Sequence, residues 1–427
     1  MNDTSRILAR GELMSNNTRA TGINNNDLII GPSGAGKTRG YVKPNIMQCN
    51  ESMIIADTKG SLAEELTPLL CSRGYRVLSI DFTDTLSSDG YNPLDYIRYD
   101  PQRNKYNEQD ITTLCAALIP LEHKHDPFWE QSARTLLACL VGYVLEVLPQ
   151  EEHTLEYVVR LFTAEEEYYP LGPIPQRIYR QLLQELARDH PDSFAARQFL
   201  FYNVLQGSEK TEASVQALVS KALAPLSYDG PLHMYRCQER IDFKALGREK
   251  TAVFLTISDT DRAMDGLVNV FYTQALQALC ASADRDYSDH RLPVPVRIIL
   301  DDFATNVRIP DFDKIISVIR SREISVSVIL QSISQLSSIY GYEAAMTIIN
   351  NCDNCLYLGG QDVETARYIA VKANKTADTI LNMPLDRAYL FTRGSRPKMV
   401  EKYDVRTHEA YGELPEAAAD SGERGPL

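Results

Sequence analysis

Leu28-Ile29-Ile30-Gly31-Pro32-Ser33-Gly34-Ala35-Gly36-Lys37-Thr38 is the stretch whose reading decides the fold. A short apolar run ends at a glycine, and the loop that follows fits G-x-x-x-x-G-K-[ST]. Glycines at 31, 34 and 36 let successive backbone N–H groups wrap an anion. Lys37 has the reach for β- and γ-phosphates, and the Thr38 hydroxyl is a ligand for Mg²⁺. A chance glycine-rich turn would not need the preceding strand. We therefore take Gly31, Pro32, Ser33, Gly34, Ala35, Gly36, Lys37, Thr38 and Arg39 as the candidate nucleotide-binding positions, with ATP and Mg²⁺ as the expected cofactors.

A phosphate-binding loop needs a second acidic group to hold the metal and orient water. Arg297-Ile-Ile-Leu-Asp301-Asp302 supplies an apolar strand ending in two carboxylates. Asp301 is expected in the Mg²⁺ shell and Asp302 at the attacking water; an ordinary acidic turn is the plain alternative. Gln331 closes the strand Val326 to Leu330, either as a sensor of the γ-phosphate or as a structural amide. Arg320 and Arg322 fall at the end of a predicted helix from Asp311 to Arg320. There they either cap the helix or, as in ring ATPases, reach a neighbouring subunit's phosphate. Asp57 and Lys59, in Ile-Ile-Ala-Asp-Thr-Lys-Gly, end the second strand, expected beside the first. They either line the nucleotide site or pair with each other.

Working outward, Asn26 to Ile30, Met53 to Ala56 and Tyr75 to Ile80 read as strands separated by helix-length stretches, the pattern of βαβ units. Strands return at Ala252 to Ile257, Val296 to Leu300, Ile324 to Leu330, Cys355 to Leu358 and Arg387 to Phe391. Between them the texture is helical. Ala133, Leu136, Leu137, Leu140, Val141, Val144, Leu145 and Leu148 form a one-sided stripe, and Glu212 to Leu226 repeats the pattern. Pro170, Pro173 and Pro175 mark a surface connection, and Glu165 to Glu167 a solvated face. The reading is α/β: a nucleotide-binding domain from residues 1–90 and 245–408, interrupted by an all-α domain at 91–244. Residues 409–427, acidic and rich in Ala, Gly and Pro, are expected to be disordered.

Composition narrows the function. The 427 residues carry a formal charge of −13, which excludes a protein that coats nucleic acid with a uniformly basic surface. Residues 1–90 are nearly neutral at −1, whereas 91–250 and 251–427 hold −6 each. Within the last third, Arg387 to Arg406 has six basic and two acidic residues, a local excess suited to a basic lining. The longest apolar stretch, Leu136 to Leu148, falls short of the roughly 20 residues of a spanning helix and contains Glu146. The first 20 residues have no apolar core of a signal peptide, so a cytosolic setting is expected. The eight cysteines are expected to be reduced; Cys352 and Cys355 lack a second pair to complete a zinc site.

The chain resembles the TraG/TraD-like coupling ATPases of type IV secretion and conjugative DNA transfer. The resemblance rests on Asn24 through Thr38, Asp-Thr-Lys-Gly from Asp57, Tyr-Asn-Pro-Leu from Tyr91 and Asp-Pro-Phe-Trp from Asp126. It continues through Leu-Asp-Asp-Phe from Leu300, Ile-Arg-Ser-Arg-Glu-Ile-Ser from Ile319, Ile-Leu-Gln-Ser from Ile329 and Leu-Gly-Gly from Leu358. The form at Ile319 is similar to the branch found in Gram-positive conjugative elements. The resemblance implies a RecA-like motor domain with an all-α domain, working as a homo-hexameric ring on the cytoplasmic side, at the inner face of the cell membrane. Its implied partners are single-stranded DNA with an attached relaxase, relaxosome accessory proteins and type IV secretion channel proteins. It assigns Lys37 and Thr38 to nucleotide, Asp301 to Mg²⁺, Gln331 to phosphate sensing and Arg320 to the trans finger; residues 91–244 would receive the substrate.

Two departures shape the alternatives. Where the family usually has Glu, this chain has Asp302, whose carboxylate is retracted by about one carbon–carbon bond, enough to change a rate. The match also begins almost at Met1, where relatives usually carry transmembrane helices, so the sequence is either a soluble piece of a longer protein or a form without an anchor. A translocating ATPase is the leading expectation. A nucleotide-gated receptor with little motor activity is the alternative, and a chromosomal DNA pump of related fold is a third, which the Asp126 and Ile319 blocks disfavour.

Overall fold

Nine strands form one sheet in the order Lys398–Glu401, Arg387–Thr392, Asn354–Tyr357, Asp27–Ile30, Ile324–Leu330, Val296–Leu300, Ser52–Ala56, Thr251–Thr256, Arg76–Asp81. The seven strands from Asn354–Tyr357 to Arg76–Asp81 run parallel, and the first two are antiparallel additions at one edge. The central strands are continuous apolar runs, as parallel strands covered on both faces must be; Leu28, Ile29, Ile30, Ile298 and Ile299 are all buried. This computed structural model describes residues 4–121, 127–164, 178–205, 209–258, 260–303 and 308–417. They form two compact units: Met1–Thr83 with Asp242–Thr260 and Leu276–Leu427, and Asp84–Ile241 with Asp261–Ala275.

Each of the eight strands expected from the sequence is present to within a residue at either end. A ninth, Lys398–Glu401, completes the sheet edge, and an antiparallel hairpin, Ser5–Ala9 with Glu12–Ser15, stands apart from it. The expected adjacency of the first two sheet strands does not hold. The Asp27–Ile30 strand lies between Ile324–Leu330 and Asn354–Tyr357, and Ser52–Ala56 lies three places away. Strand order reverses here: from the phosphate-loop strand the chain builds in one direction, and later strands return to flank it. A switch of this kind opens a crevice at the carboxyl ends of the strands.

The segment from residue 409 departs from its expected disorder. Tyr411–Glu413 forms a 3₁₀ turn, and Ala410, Tyr411 and Leu414 join the buried cluster that contains Tyr41, Leu66, Leu69 and Leu70. Glu413 pairs with Arg73 at 2.6 Å, and Glu416 pairs with Arg39 and, at 3.3 Å, with Lys43. Three apolar side chains spaced among acids bury enough surface to hold the segment down, which composition averaged over 19 residues hides. Residues 418–427 lie outside the described residues.

The second unit is helical, with Glu108–Leu118, Phe128–Val147, Leu155–Thr163, Ile178–Asp189, Phe194–Leu205, Glu209–Leu223 and Asp229–Arg236. It starts before residue 91 and takes in Asp261–Ala275, where Gln274 accepts from the Tyr91 hydroxyl at 2.7 Å. Residues 136–145 of Phe128–Val147 are buried on all sides rather than on one stripe, because small residues fill the other face. A Cβ on Gly142 would lie 2.9 Å from the Phe194 ring and 3.1 Å from Ala195 Cβ, so glycine permits this close helix crossing. One turn later, Glu146 accepts from the backbone N–H of Phe194 at 2.9 Å and of Ala195 at 3.0 Å, satisfying two donors at a helix start. Among the described residues no helix is long and apolar enough to cross a membrane. The expected surface connection at Pro170, Pro173 and Pro175, with Glu165 to Glu167, lies outside the described residues.

Candidate nucleotide site

The phosphate loop is anchored on both sides. Gly31 N–H donates to Leu330 O at 3.0 Å, and Leu358 N–H donates to Ile30 O at 2.7 Å. A Cβ on Gly31 would stand 3.0 Å from both Ala35 Cβ and Leu358 Cβ, while Gly34 and Gly36 take φ of +77° and +90°, which L side chains rarely adopt. The helix after the loop opens as a π-helical turn, Thr38–Val42, a form enriched at functional sites.

Lys37 is buried and its Nζ folds back to donate to the carbonyls of Gly31 at 3.0 Å and Pro32 at 3.2 Å. The same Nζ is 3.4 Å from Asp302 Oδ1. Thr38 Oγ1 donates to Asp301 Oδ2 at 3.0 Å. Burial, and then the neighbouring Asp302 charge, push the Asp301 carboxyl up to about 6, against the opposing pull of Thr38 and Lys37. Asp302 reverses the chain with φ +48°, a left-handed conformation that Asp tolerates better than most residues. Gln331, exposed at the end of the adjacent strand, places Nε2 3.5 Å from Asp302 Oδ1, at the limit of hydrogen-bonding reach. Residues 31, 38, 301, 302 and 331, hundreds of positions apart, thus meet at the carboxyl ends of three adjacent strands.

These groups fit Mg²⁺. The ion is held characteristically by one or two protein oxygens with water and substrate phosphates completing the shell, and Thr38 with Asp301 is an oxygen pair of that kind. Among the described residues no cluster of three or more His, Cys, Asp or Glu could hold a metal unaided.

Other expected site residues lie elsewhere. The Arg39 side chain pairs with Glu416. Arg320 precedes the Ile324–Leu330 strand that Gln331 follows, so the two stand at opposite ends of a seven-residue strand. The Arg320 Nη2 donates to Thr18 O at 3.4 Å. The expected helix from Asp311 to Arg320 is replaced by Phe312–Ile315 and a 3₁₀ turn, Ile319–Arg322, too short for the helix-dipole argument. Arg322 instead makes a two-pronged pair with Asp284, both bonds 2.8 Å. Asp57, buried, accepts from the backbone N–H of Ala63 at 3.0 Å and of Lys59 at 3.4 Å rather than pairing with the Lys59 ammonium, tying down the start of the Ser61–Ser72 helix. Burial raises its carboxyl.

The Arg387 to Arg406 excess is partly neutralised, since two of its cations meet acids from outside the segment. Arg387 pairs with Glu401, Arg393 with Asp353, Lys398 with Glu12 and Arg406 with Asp404. Lys402 donates to Ala35 O at 3.0 Å, within the phosphate loop itself, and burial lowers its ammonium. Sequence reasoning missed Lys402 and Glu416, since neither belongs to a motif. All eight cysteines are free, and burial raises Cys352 and Cys355.

The family model for type IV secretory system conjugative DNA transfer matches residues 6–379. Protein VirD4 of Rhizobium rhizogenes is 25% identical over 370 residues, covering 84% of this chain and 51% of that protein. Conjugal transfer protein TraG of Escherichia coli is 25% identical over 385 residues, covering 82% of this chain and 55% of that one. The chain thus spans about half the length of the curated relatives it matches. Among solved structures, the conjugative coupling protein TrwBdeltaN70, in its trigonal form with sulphate, superposes with a TM-score of 0.68 at 15% identity, over 94% of this chain and 91% of that one. TrwB in complex with the non-hydrolysable ATP analogue ADPNP gives 0.67 at 15% identity, over 93% and 89%. The shared fold is α/β, a RecA-like P-loop domain with a helical domain.

Proposed function

Because the chain belongs to the type IV secretory system conjugative DNA transfer family, we propose that it is an ATP-hydrolysing coupling protein that drives single-stranded DNA, with its attached relaxase, into a secretion channel. The observation that carries this reading is the meeting of Lys37, Thr38, Asp301, Asp302 and Gln331 at one crevice. The loop amides and Lys37 bind the phosphates. Thr38 and Asp301 would hold Mg²⁺, which would supply positive charge to the bound phosphates. Asp302 orients the attacking water and takes its proton, and Gln331 reports the state of the γ-phosphate to its strand. Arg320, at the far end of that strand, completes the site of the next subunit in a homo-hexamer.

The helical unit is the receptor for relaxase and accessory relaxosome proteins. Its acidic balance suits basic DNA-processing proteins better than DNA, and the motor acts at the inner face of the cell membrane, against the channel proteins. DNA contacts are electrostatic, hence sequence-tolerant and salt-sensitive. The test is ATPase rate against protein concentration, with and without single-stranded DNA. Stimulation that Lys37→Ala abolishes is expected; turnover indifferent to Lys37→Ala would sink the assignment. Negligible turnover with relaxase still captured would favour the nucleotide-gated receptor, toward which the shorter Asp302 leans.

A further inference from the structure

Four residues upstream of Gly31, Asp301 and Gln331 stand Asp27, Arg297 and Ser327. Positions four apart on a strand share a face of the sheet, so the three form a second, staggered row about 13 Å below the site, with Arg297 opposite Ser325 rather than Ser327. Register pairs Asp27 with Ser327 directly. The row is polar and sealed: Asp27, Arg297 and Ser327 are each at most 1% exposed, as is Tyr41, which enters from the helix three residues beyond Thr38. Tyr41 Oη lies 2.7 Å from Asp27 Oδ2 and 2.8 Å from Ser327 Oγ; Arg297 Nη1 lies 3.1 Å from Ser327 Oγ.

Only one proton arrangement satisfies these contacts with an ionised Asp27. Asp27 only accepts, so Tyr41 gives its single proton there; Ser327 then donates to Tyr41 and accepts from Arg297. Arg6 and Asn354 add bonds to Asp27 of 2.6 Å and 3.0 Å, and Glu51 takes the Arg297 Nε–H. Desolvating such charges is costly, and packed apolar residues of similar volume often stabilise a core as well or better. What the polar chain adds is direction: sliding the Tyr41 helix against the sheet breaks the bonds to Asp27 and Ser327 together. That helix carries Thr38, and the strand of Arg297 carries Asp301.

We propose that Tyr41, through Asp27, Ser327 and Arg297, is a positioning residue that sets the Thr38–Asp301 separation and so the strength of the Mg²⁺ half-site. The proposal rests on the nucleotide-hydrolysing reading but is tested apart from it, by titrating Mg²⁺ against binding of a fluorescent ATP analogue. Tyr41→Phe should raise the half-saturating Mg²⁺ at least fivefold, while affinity for the analogue in EDTA stays within twofold. Where turnover is measurable, kcat should fall at least tenfold. Ser327→Ala, which adds no volume and cuts the same chain from the sheet side, should reproduce the Mg²⁺ shift, and the double variant should add little. A Mg²⁺ half-saturation within twofold of the parent in both folded variants overturns the proposal, whatever happens to their melting temperatures. Absence of turnover in the parent, with the Mg²⁺ shift intact, would count against the motor reading and leave the positioning role standing.

Discussion

The Thr38 hydroxyl donates to Asp301 Oδ2 at 3.0 Å, so the two oxygens expected to share one cation already face each other. Asp301 must be ionised to accept that cation, and burial holds its carboxyl up at about 6. Mg²⁺ affinity should therefore be constant above about pH 7 and fall roughly tenfold for each pH unit below 6. A Mg²⁺ titration of analogue binding at several pH values checks this; a flat profile down to pH 5 contradicts it.

The same shift predicts a stability gain from removing the charge. With a folded value near 6 against 3.8 for the free side chain, the native state holds this proton more tightly than the unfolded chain. Its contribution is thus fully favourable below about 4, declines as pH rises to about 6, and is lost above. About two pKa units correspond to an upper bound of about 3 kcal/mol. Asp301→Asn should raise the melting temperature of the metal-free protein at pH 7.5, yet bind Mg²⁺–nucleotide poorly. A lowered melting temperature would contradict the assignment of burial as the main cause.

Asp302 Oδ1 lies 3.4 Å from Lys37 Nζ and 3.5 Å from Gln331 Nε2. Asp302→Asn preserves shape but cannot take a proton, so hydrolysis should drop at least a hundredfold with nucleotide affinity nearly unchanged. Asp302→Glu should equal or exceed the parent rate if the retracted carboxylate limits it. Single-turnover measurements separate the two effects from product release.

Arg320 makes one long bond, to a backbone carbonyl, and stands at the end of its strand opposite the phosphate loop. If it completes a neighbour's site, Arg320→Ala and Lys37→Ala subunits, each inactive alone, should recover activity when mixed. Failure to complement in assembled mixtures would return Arg320 to a local structural role.

Truncation after Thr407 removes Ala410, Tyr411 and Leu414 from the core and should cost about 4 kcal/mol, at roughly 1.5–3 kcal/mol for each large apolar side chain. Glu416→Ala, by contrast, should cost less than about 1 kcal/mol, because its Arg39 partner is half exposed and its buried partner Lys43 keeps Glu65. Chemical denaturation of both variants distinguishes a packed segment from a charged tether.

The phosphate loop, Asp301, Asp302 and Gln331 were legible because each sits at the end of an apolar run, where a local pattern encodes a local geometry. Strand order was not. Ser52–Ala56 follows Asp27–Ile30 in sequence but lies three places away, since pairing depends on strands made 300 residues later. The all-round burial of residues 136–145 escaped a periodicity argument because Ala138, Cys139 and Gly142 fill space without registering as a stripe. Asp57 beside Lys59 suggested a pair, whereas burial and the nearby amides of a starting helix decide its role. The Asp27–Arg297–Ser327 row gave no signal at all, since its partners come from separate strands and each looks unremarkable in its own.

The placement of Asp27–Ile30 between Ile324–Leu330 and Asn354–Tyr357 also sets a timetable for biosynthesis. At ribosomal rates of about 5–20 residues per second, the nascent phosphate-loop strand waits roughly 15–60 s before either neighbour exists. Throughout that interval it presents two bare hydrogen-bonding edges and an Ile-Ile pair to solvent. Nascent chains arrested before Ile324 should therefore bind no nucleotide and depend on chaperones, and slow translation downstream of the loop should favour aggregation over a partly active product.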